Sequence, residues 1–478
     1  MSKLNRSVLG LVLAAFVPFQ FFLPSNSFLA YHYTPPPLFT ELLYQNRMMM
    51  AIRLLLTFSF YANANSLLDT REPKEGTIRS LASIRFISMT WVAAGHSLLP
   101  YVSSDALLPV LSLWNPLLAT TFTNAFLSVD TFFLLSGILV AYLFFKVRPP
   151  SKVVKNPLTW IMFYVHRYLR LTPPIMMFIG FYTVMSPFLK GPWMAAKPRN
   201  SLDANAAQAC QKYWWQNMLY INNFFGMRNE CYPITWYLAV DTQLYVSAPL
   251  FLISFYISPI IGKFLSAELE SIHFFFDIFY QKPWTRCPPY LIGIGVGYLL
   301  AKLKGRKPKI SWVGDLIHIS LRSVTYILLN YSSKFVRATY NNFSRIGWSL
   351  AVSWVIVANH LGWGGPIARF MDHPLWQPLG RLSYCAYIVH FFIIQYVFNL
   401  DDRPTHYVSI WQSYVYRAIP IVVLSYIMAF IWSCLFEVST TKLEKMLLEG
   451  LIPETRTHVR PIVSTTGELR IQEGKREV

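Results

Sequence analysis

Runs of mostly apolar residues, each about 20 long or somewhat shorter, recur from one end of this chain to the other and leave few architectures open. They lie near Val8–Phe22, Met48–Phe60, Ile78–Tyr101, Leu118–Phe145, Leu171–Leu189, Trp236–Ile261, Pro289–Leu303, Val313–Leu329, Ile346–Leu361, Leu382–Phe398 and Val415–Phe436. In lipid a spanning segment must satisfy its backbone amides internally, so runs of this kind are helices. The expected fold is all-α, a polytopic integral membrane bundle of about 9–11 transmembrane helices. Of the 478 residues, 54% are hydrophobic and only 14% charged, outside the balance of a soluble globular chain.

A formal net charge of +19 raises nucleic acid as a partner. The basic residues, however, gather in short runs between apolar segments rather than in one stripe, which speaks for topology and against nucleic-acid binding. The five cysteines are too scattered for a disulfide scaffold and none has zinc-ligand spacing with histidine, so no metal site is expected.

Lys and Arg in short loops favour the cytosol. Lys146, Arg148, Lys152, Lys155, Arg167 and Arg170 place one loop there, and Lys302, Lys304, Arg306, Lys307 and Lys309 place another. The segment Lys190–Tyr232 then lies on the lumenal side, where a disulfide between Cys210 and Cys231 is chemically permitted. The glycosylation acceptors Asn330 and Asn342 fall on that side too. Counting crossings leaves one short between Gly262 and Arg286, where Leu265–Tyr280 carries Glu268, Glu270 and Asp277 and is a poor lipid-spanning sequence.

Three regions follow: residues 1–66, an apolar leader with one or two possible membrane segments and no clear A-x-A cleavage site; 67–445, the membrane domain; and 446–478, a cytosolic tail that is polar and expected to be disordered.

Ionisable groups inside membrane helices are candidates for function. Arg85 and His96 bracket ten mostly apolar residues. Eleven residues advance about 1100°, three turns plus about 20°, and rise about 16 Å, so both side chains share one face. A cation then sits near the cytosolic end and an imidazole deeper in, a layout suited to gripping an anionic cofactor while a base acts further along. A snorkelling arginine and a hydrogen-bonded core histidine fit the same spacing.

In the run HRYLRLTPP, Arg167 and Arg170 stand three apart on one helical face at the cytosolic boundary. Paired guanidinium groups grip phosphates well, although plain positive-inside topology also places basic residues there. Asp130 and Asp241 are intramembrane acids that would either orient a histidine or pair with arginines. His390, alone on an apolar face, reads more readily as a satisfied core histidine than as a catalytic one.

Taken in order, Arg85 to His96, SVDTFFLLSG, HRYLRLTP, WWQNMLYINNF, WYLAVDTQLY, KPWTRCPPYLIGIGVGY and RLSYCAYIVH resemble the acyltransferase 3 family, specifically its animal nose-resistant-to-fluoxetine branch. The resemblance spans roughly Phe58 to Lys445. It implies acyl transfer from cytosolic acyl-CoA, a donor substrate rather than a permanently bound cofactor, to a lipid or other hydroxyl acceptor on the lumenal or extracellular side. It makes Arg167 and Arg170 look like the family's CoA-contacting pair, and Arg85 and His96 like its arginine and catalytic histidine. Asp130, Asp241 and His390 stand as supporting candidates. A plasma-membrane or endoplasmic-reticulum location is expected.

The chain departs from the animal branch's pattern by a short apolar leader in place of a large cysteine-rich extracellular domain, and by the missing crossing. A non-catalytic transporter of lipids or small hydrophobes, or an inactive truncated relative, is the alternative reading.

Overall fold

A computed structural model describes residues 50, 52–72, 76–102, 124–189, 206–225, 230–257, 282–303, 334–400 and 407–451. The expected spans Val8–Phe22 and Val313–Leu329, the segment Leu265–Tyr280 and the acceptor Asn330 lie outside these residues. So do most of the leader and nearly all of the C-terminal tail.

The described residues form an all-helical bundle: α1 (Phe60–Leu67), α2 (Leu81–His96), α3 (Phe126–Val147), α4 (Pro157–Met185), α5 (Ala206–Met218), α6 (Trp236–Ile257), α7 (Pro283–Leu303), α8 (Lys334–His360), α9 (Trp376–Phe398), α10 (Ile419–Trp432) and α11 (Val438–Leu451). Among them, five helical stretches are long and apolar enough to cross a membrane: Phe126–Val147, Pro157–Phe188, Pro233–Ile257, Trp376–Phe398 and Ile410–Leu447. The protein is an integral membrane protein. Asn342 falls within α8.

Several boundaries differ from those read off hydropathy, each for a local reason. The apolar run Met48–Phe60 is interrupted at Ser59, whose hydroxyl accepts from the Ala62 amide and starts α1 as a separate helix. Helix α4 begins not at Leu171 but at Pro157, fourteen residues earlier; Asn156 caps it by accepting from the Leu158 amide at 3.0 Å, with proline preset at the first turn. Its 29 residues extend about 43 Å, more than the hydrocarbon thickness, and HRYLR is therefore helix rather than loop.

Pro173 and Pro174 interrupt the hydrogen-bond ladder of α4. Neighbouring helices bond carbonyls beside the break: the Tyr384 hydroxyl donates to the Leu171 carbonyl at 2.6 Å, and Trp432 Nε1 to the Pro174 carbonyl at 3.1 Å. The last span runs unbroken from Ile410 to Leu447 and absorbs two π-helical turns, Tyr414–Ala418 and Ser433–Glu437, on either side of α10. Asn63 of α1, fully buried, donates to the Cys434 carbonyl in the second of these turns at 2.9 Å.

Small residues decide how closely the helices approach. A Cβ on Gly137 of α3 would run into the Tyr290 carbonyl, and one on Gly293 of α7 into the Leu134 carbonyl, so these two helices touch backbone to backbone. Where α9 crosses α2, a Cβ on Gly380 would lie 2.7 Å from both the Cα and the carbonyl oxygen of Ala82. This second crossing matters for the site, because α2 ends at His96 and α9 carries His390.

Gly293→Val is expected to destabilise the folded protein in detergent by about 1–3 kcal/mol or more, since backbone cannot move aside as a side chain can. Gly295→Ala, whose Cβ would meet nothing within 4 Å, is the control and should melt like the parent. Thermal unfolding followed by tryptophan fluorescence would distinguish them; equal melting of the two variants would contradict close packing at this crossing.

Candidate active site

His96 closes α2, and its Nδ1 lies 2.8 Å from Nε2 of His390. The ring planes are within 10° and the centroids 5.1 Å apart. Nitrogens this close between rings so far apart mean that the imidazoles sit side by side, with the N–H of one meeting the lone pair of the other in the ring plane. On its other edge, Nδ1 of His390 is 2.7 Å from the Tyr387 carbonyl oxygen.

The tautomers follow from these contacts. A carbonyl only accepts, so His390 Nδ1 carries a hydrogen and donates it. His390 is 0% exposed, and no carboxylate bonds to it among the described residues, so the ring is a neutral imidazole with a bare Nε2. That nitrogen accepts from His96, whose Nδ1 is therefore the donor. A neutral His96 then presents an unprotonated Nε2, which makes no hydrogen bond among the described residues.

The segment just before α6 holds α9 in register here. Tyr387 donates to the Ile234 carbonyl at 2.7 Å, and Tyr232 donates to the Ile388 carbonyl at 2.9 Å. Cys231, next to Tyr232, is disulfide-bonded to Cys210 of α5.

Three turns back along α2, Arg85 is half-buried and makes no hydrogen bond or ion pair among the described residues. Its guanidinium lies within electrostatic reach of Arg170, Asp241 and Glu437. The charged side chains of the HRYLR run diverge around this point. His166 reaches Glu444 of α11 at 3.3 Å, Arg167 pairs with Asp241 of α6, and Arg170 is exposed without an ion pair among the described residues.

Arg167 also lies 4.0 Å above the Tyr245 ring and borders a cavity of about 130 Å³, whose walls include Tyr168, Tyr220, Thr242 and Tyr245. Arg167 Nε, Asp241 Oδ1 and Thr242 Oγ1 are buried without hydrogen bonds among the described residues.

Neither intramembrane acid contacts His96. Asp130 accepts from Arg286 Nη1 at 2.7 Å with both side chains 0% exposed, and Arg345 Nε stands 3.8 Å from its other oxygen. Of the two roles open to these acids in the sequence, pairing with arginine is the one both adopt, and the orienting contact to His96 comes from His390 instead.

Two further charged groups of this region escaped sequence reasoning. Arg286 lies within the KPWTRCPPY run, where a cation ahead of two prolines was a signal of a buried partner. Glu437 follows directly on the apolar run ending at Phe436; it accepts from Ser433 Oγ at 2.7 Å and from Cys385 Sγ at 3.1 Å. No group of three or more side chains suited to hold a metal ion occurs among the described residues.

The fold and the site are those of an all-helical, multi-pass membrane protein with paired imidazoles on two of its helices and arginines nearby. The model of the Acyl_transf_3 family, the acyltransferase domain, matches residues 78–438, and the chain belongs to this acyltransferase 3 family. It is 30% identical over 461 residues to nose resistant to fluoxetine protein 6 of Caenorhabditis elegans, covering 84% of this chain and 55% of that protein. It is 24% identical over 399 residues to regulator of hypoxia-inducible factor 1 of the same organism, covering 72% and 75%. A Staphylococcus aureus protein bearing the name "Putative O-acetyltransferase" is 26% identical over 307 residues, covering 60% of this chain and 49% of its own. The chain thus spans about half the length of the first and third of these relatives. No solved structure matches it.

Outside the spans, Glu230 is 2% exposed and neither of its oxygens has a hydrogen-bond partner among the described residues. Burial pushes its carboxyl up to about 8, against the pull of the Lys282 ammonium. Folding then takes up a proton at this position between the usual carboxyl value of 4.5 and about 8, so the group's contribution is intact at lower pH and is lost as pH rises through that window. Glu230→Gln is expected to raise the melting temperature at about pH 8.5 and leave it unchanged near pH 4.5, read by thermal unfolding at the two pH values. An equal shift at both would exclude titration as the cause.

Proposed function

We propose that this protein is an O-acyltransferase that moves an acyl group from cytosolic acyl-CoA to a hydroxyl of a lipid or other acceptor reached from the lumenal or extracellular side, in the plasma membrane or the endoplasmic reticulum. The observation that carries the reading is the bare Nε2 of His96, at the far end of a helix whose near end presents Arg85 with no ion pair among the described residues. Family membership supplies the reaction class. The bias of basic residues supplies the side from which the donor enters.

Arg85 and Arg170 are the groups best suited to the donor's phosphates, because neither is paired with a carboxylate among the described residues. Arg167 is neutralised by Asp241, and the cavity beside it offers the donor a largely aromatic and aliphatic wall. From Arg85 to His96 is a rise of about 16 Å, which the pantetheine arm bridges by lying along α2.

In the transfer step the acceptor hydroxyl gives its proton to His96 Nε2 while its oxygen bonds to the thioester carbonyl carbon. The carbon–sulfur bond then breaks, and the CoA thiolate leaves and takes up the proton from His96. Arginines at one end and a base at the other fit a two-substrate transfer better than passage of a hydrophobe, which needs neither.

The test is turnover of radiolabelled acetyl-CoA and palmitoyl-CoA by purified protein in nanodiscs of total membrane lipid, with extraction to find the labelled product. His96→Ala should keep CoA binding and lose about 10²–10⁴-fold in turnover. Arg85→Ala with Arg170→Ala should weaken CoA binding about tenfold or more, about 1.4 kcal/mol. Arg167→Ala is a poorer probe, since it strands Asp241 without its partner. Undiminished turnover by His96→Ala would reject the proposed base.

A further inference from the structure

We infer that His390 is a positioning residue for His96, holding it in the one tautomer that can act as a base. The inference rests on the acyl-transfer reading above. An isolated imidazole exchanges freely between two neutral tautomers, and only the one with hydrogen on Nδ1 leaves Nε2 able to accept a proton.

In this protein the choice is made two hydrogen bonds away. The Tyr387 carbonyl holds the hydrogen of His390 on Nδ1, His390 Nε2 is thereby an acceptor, and it holds the hydrogen of His96 on Nδ1. The chain ends on the backbone of α9, which the Tyr387 and Tyr232 hydrogen bonds tie to the segment before α6. The orienting group therefore cannot swing away without moving the helix.

When His96 Nε2 takes the acceptor's proton, the imidazolium keeps its Nδ1–H bond to the neutral ring of His390. No proton leaves His390, and the proton on His96 passes to the departing CoA thiolate. A carboxylate in this place would also fix the tautomer, but it would add a negative charge beside a thioester carbonyl that becomes an oxyanion in the transition state. Both candidate carboxylates are instead held by arginines, Asp130 by Arg286 and Asp241 by Arg167. Partners that orient a metal-bound histidine through its second nitrogen are worth about 10–100-fold in affinity or activity, and an effect of that size is expected of His390.

The experiment compares His390→Ala, His390→Gln and His96→Ala in nanodiscs of total membrane lipid, with radiolabelled acetyl-CoA and palmitoyl-CoA and acyl-CoA binding measured in parallel. His390→Ala should lower kcat about 10–100-fold at unchanged KM for acyl-CoA. His390→Gln, whose amide oxygen stands in for Nε2 as acceptor, should recover most of that loss. A merely structural role would not be rescued by the amide and would move KM as well.

Wild-type turnover by His390→Ala alongside an inactive His96→Ala would overturn the inference and leave the base in place. Turnover by His96→Ala at the parent rate would remove the base itself. Should His390→Ala fail to bind acyl-CoA, His390→Gln decides: folded and active supports the positioning role, folded and inactive overturns it.

Discussion

Inside hydrocarbon every charge and every backbone amide has to find its partner within the bundle, because no water is there to take its place. The Asp130–Arg286 pair meets that demand at the centre of the fold, with both side chains withdrawn from solvent and Arg345 approaching the second carboxylate oxygen. Its geometry brings α3, α7 and α8 together at one point, and Trp348 adds a bond from its indole to Thr131 at 2.8 Å. Removing one member of such a pair leaves a buried charge alone, which costs about 3–5 kcal/mol, so these helices are bound to a common arrangement. The glycines of α3 and α7 make that arrangement possible by letting the backbones meet.

The same demand explains why Asp130 and Asp241 take no part in orienting His96. Each is needed by an arginine that would otherwise be unpaired in an apolar surrounding, and the imidazole is left to a neutral neighbour. A neutral partner costs less to bury than a carboxylate, and its own second nitrogen is satisfied by a helix carbonyl. Half-buried Arg85 and exposed Arg170 stand apart from this pairing: no ion pair among the described residues holds them, which is why the donor's phosphates are proposed to meet them.

Much of the fold was legible in the chain because hydrophobic length is a local property. Five of the apolar stretches overlap the span-capable helices Phe126–Val147, Pro157–Phe188, Pro233–Ile257, Trp376–Phe398 and Ile410–Leu447, since an apolar run of that length must form its hydrogen bonds internally. Boundaries were less legible where capping rather than hydropathy sets them. Asn156 and Pro157 start α4 far into a basic stretch that reads as loop, and Ser59 ends an apolar run that reads as continuous. The π-helical turn that carries Glu437 has no hydropathy signature, and the bond that its Cys434 carbonyl accepts comes from Asn63 of another helix.

What the sequence by itself determined is that the chain forms apolar helices long enough to cross a membrane and that Arg85 and His96 share a face, both consequences of local spacing. Only the tertiary structure decided which partner each polar group meets. Asp130 with Arg286, Asp241 with Arg167, and His96 with His390 join residues 156, 74 and 294 positions apart. Such pairings are set by where helices cross, and crossings are set by small residues such as Gly380 against Ala82 acting together with every other contact in the bundle. His390 shows the difference most plainly: on its own helix it is one polar side chain on an apolar face, and it acquires a role only because α9 lies against α2.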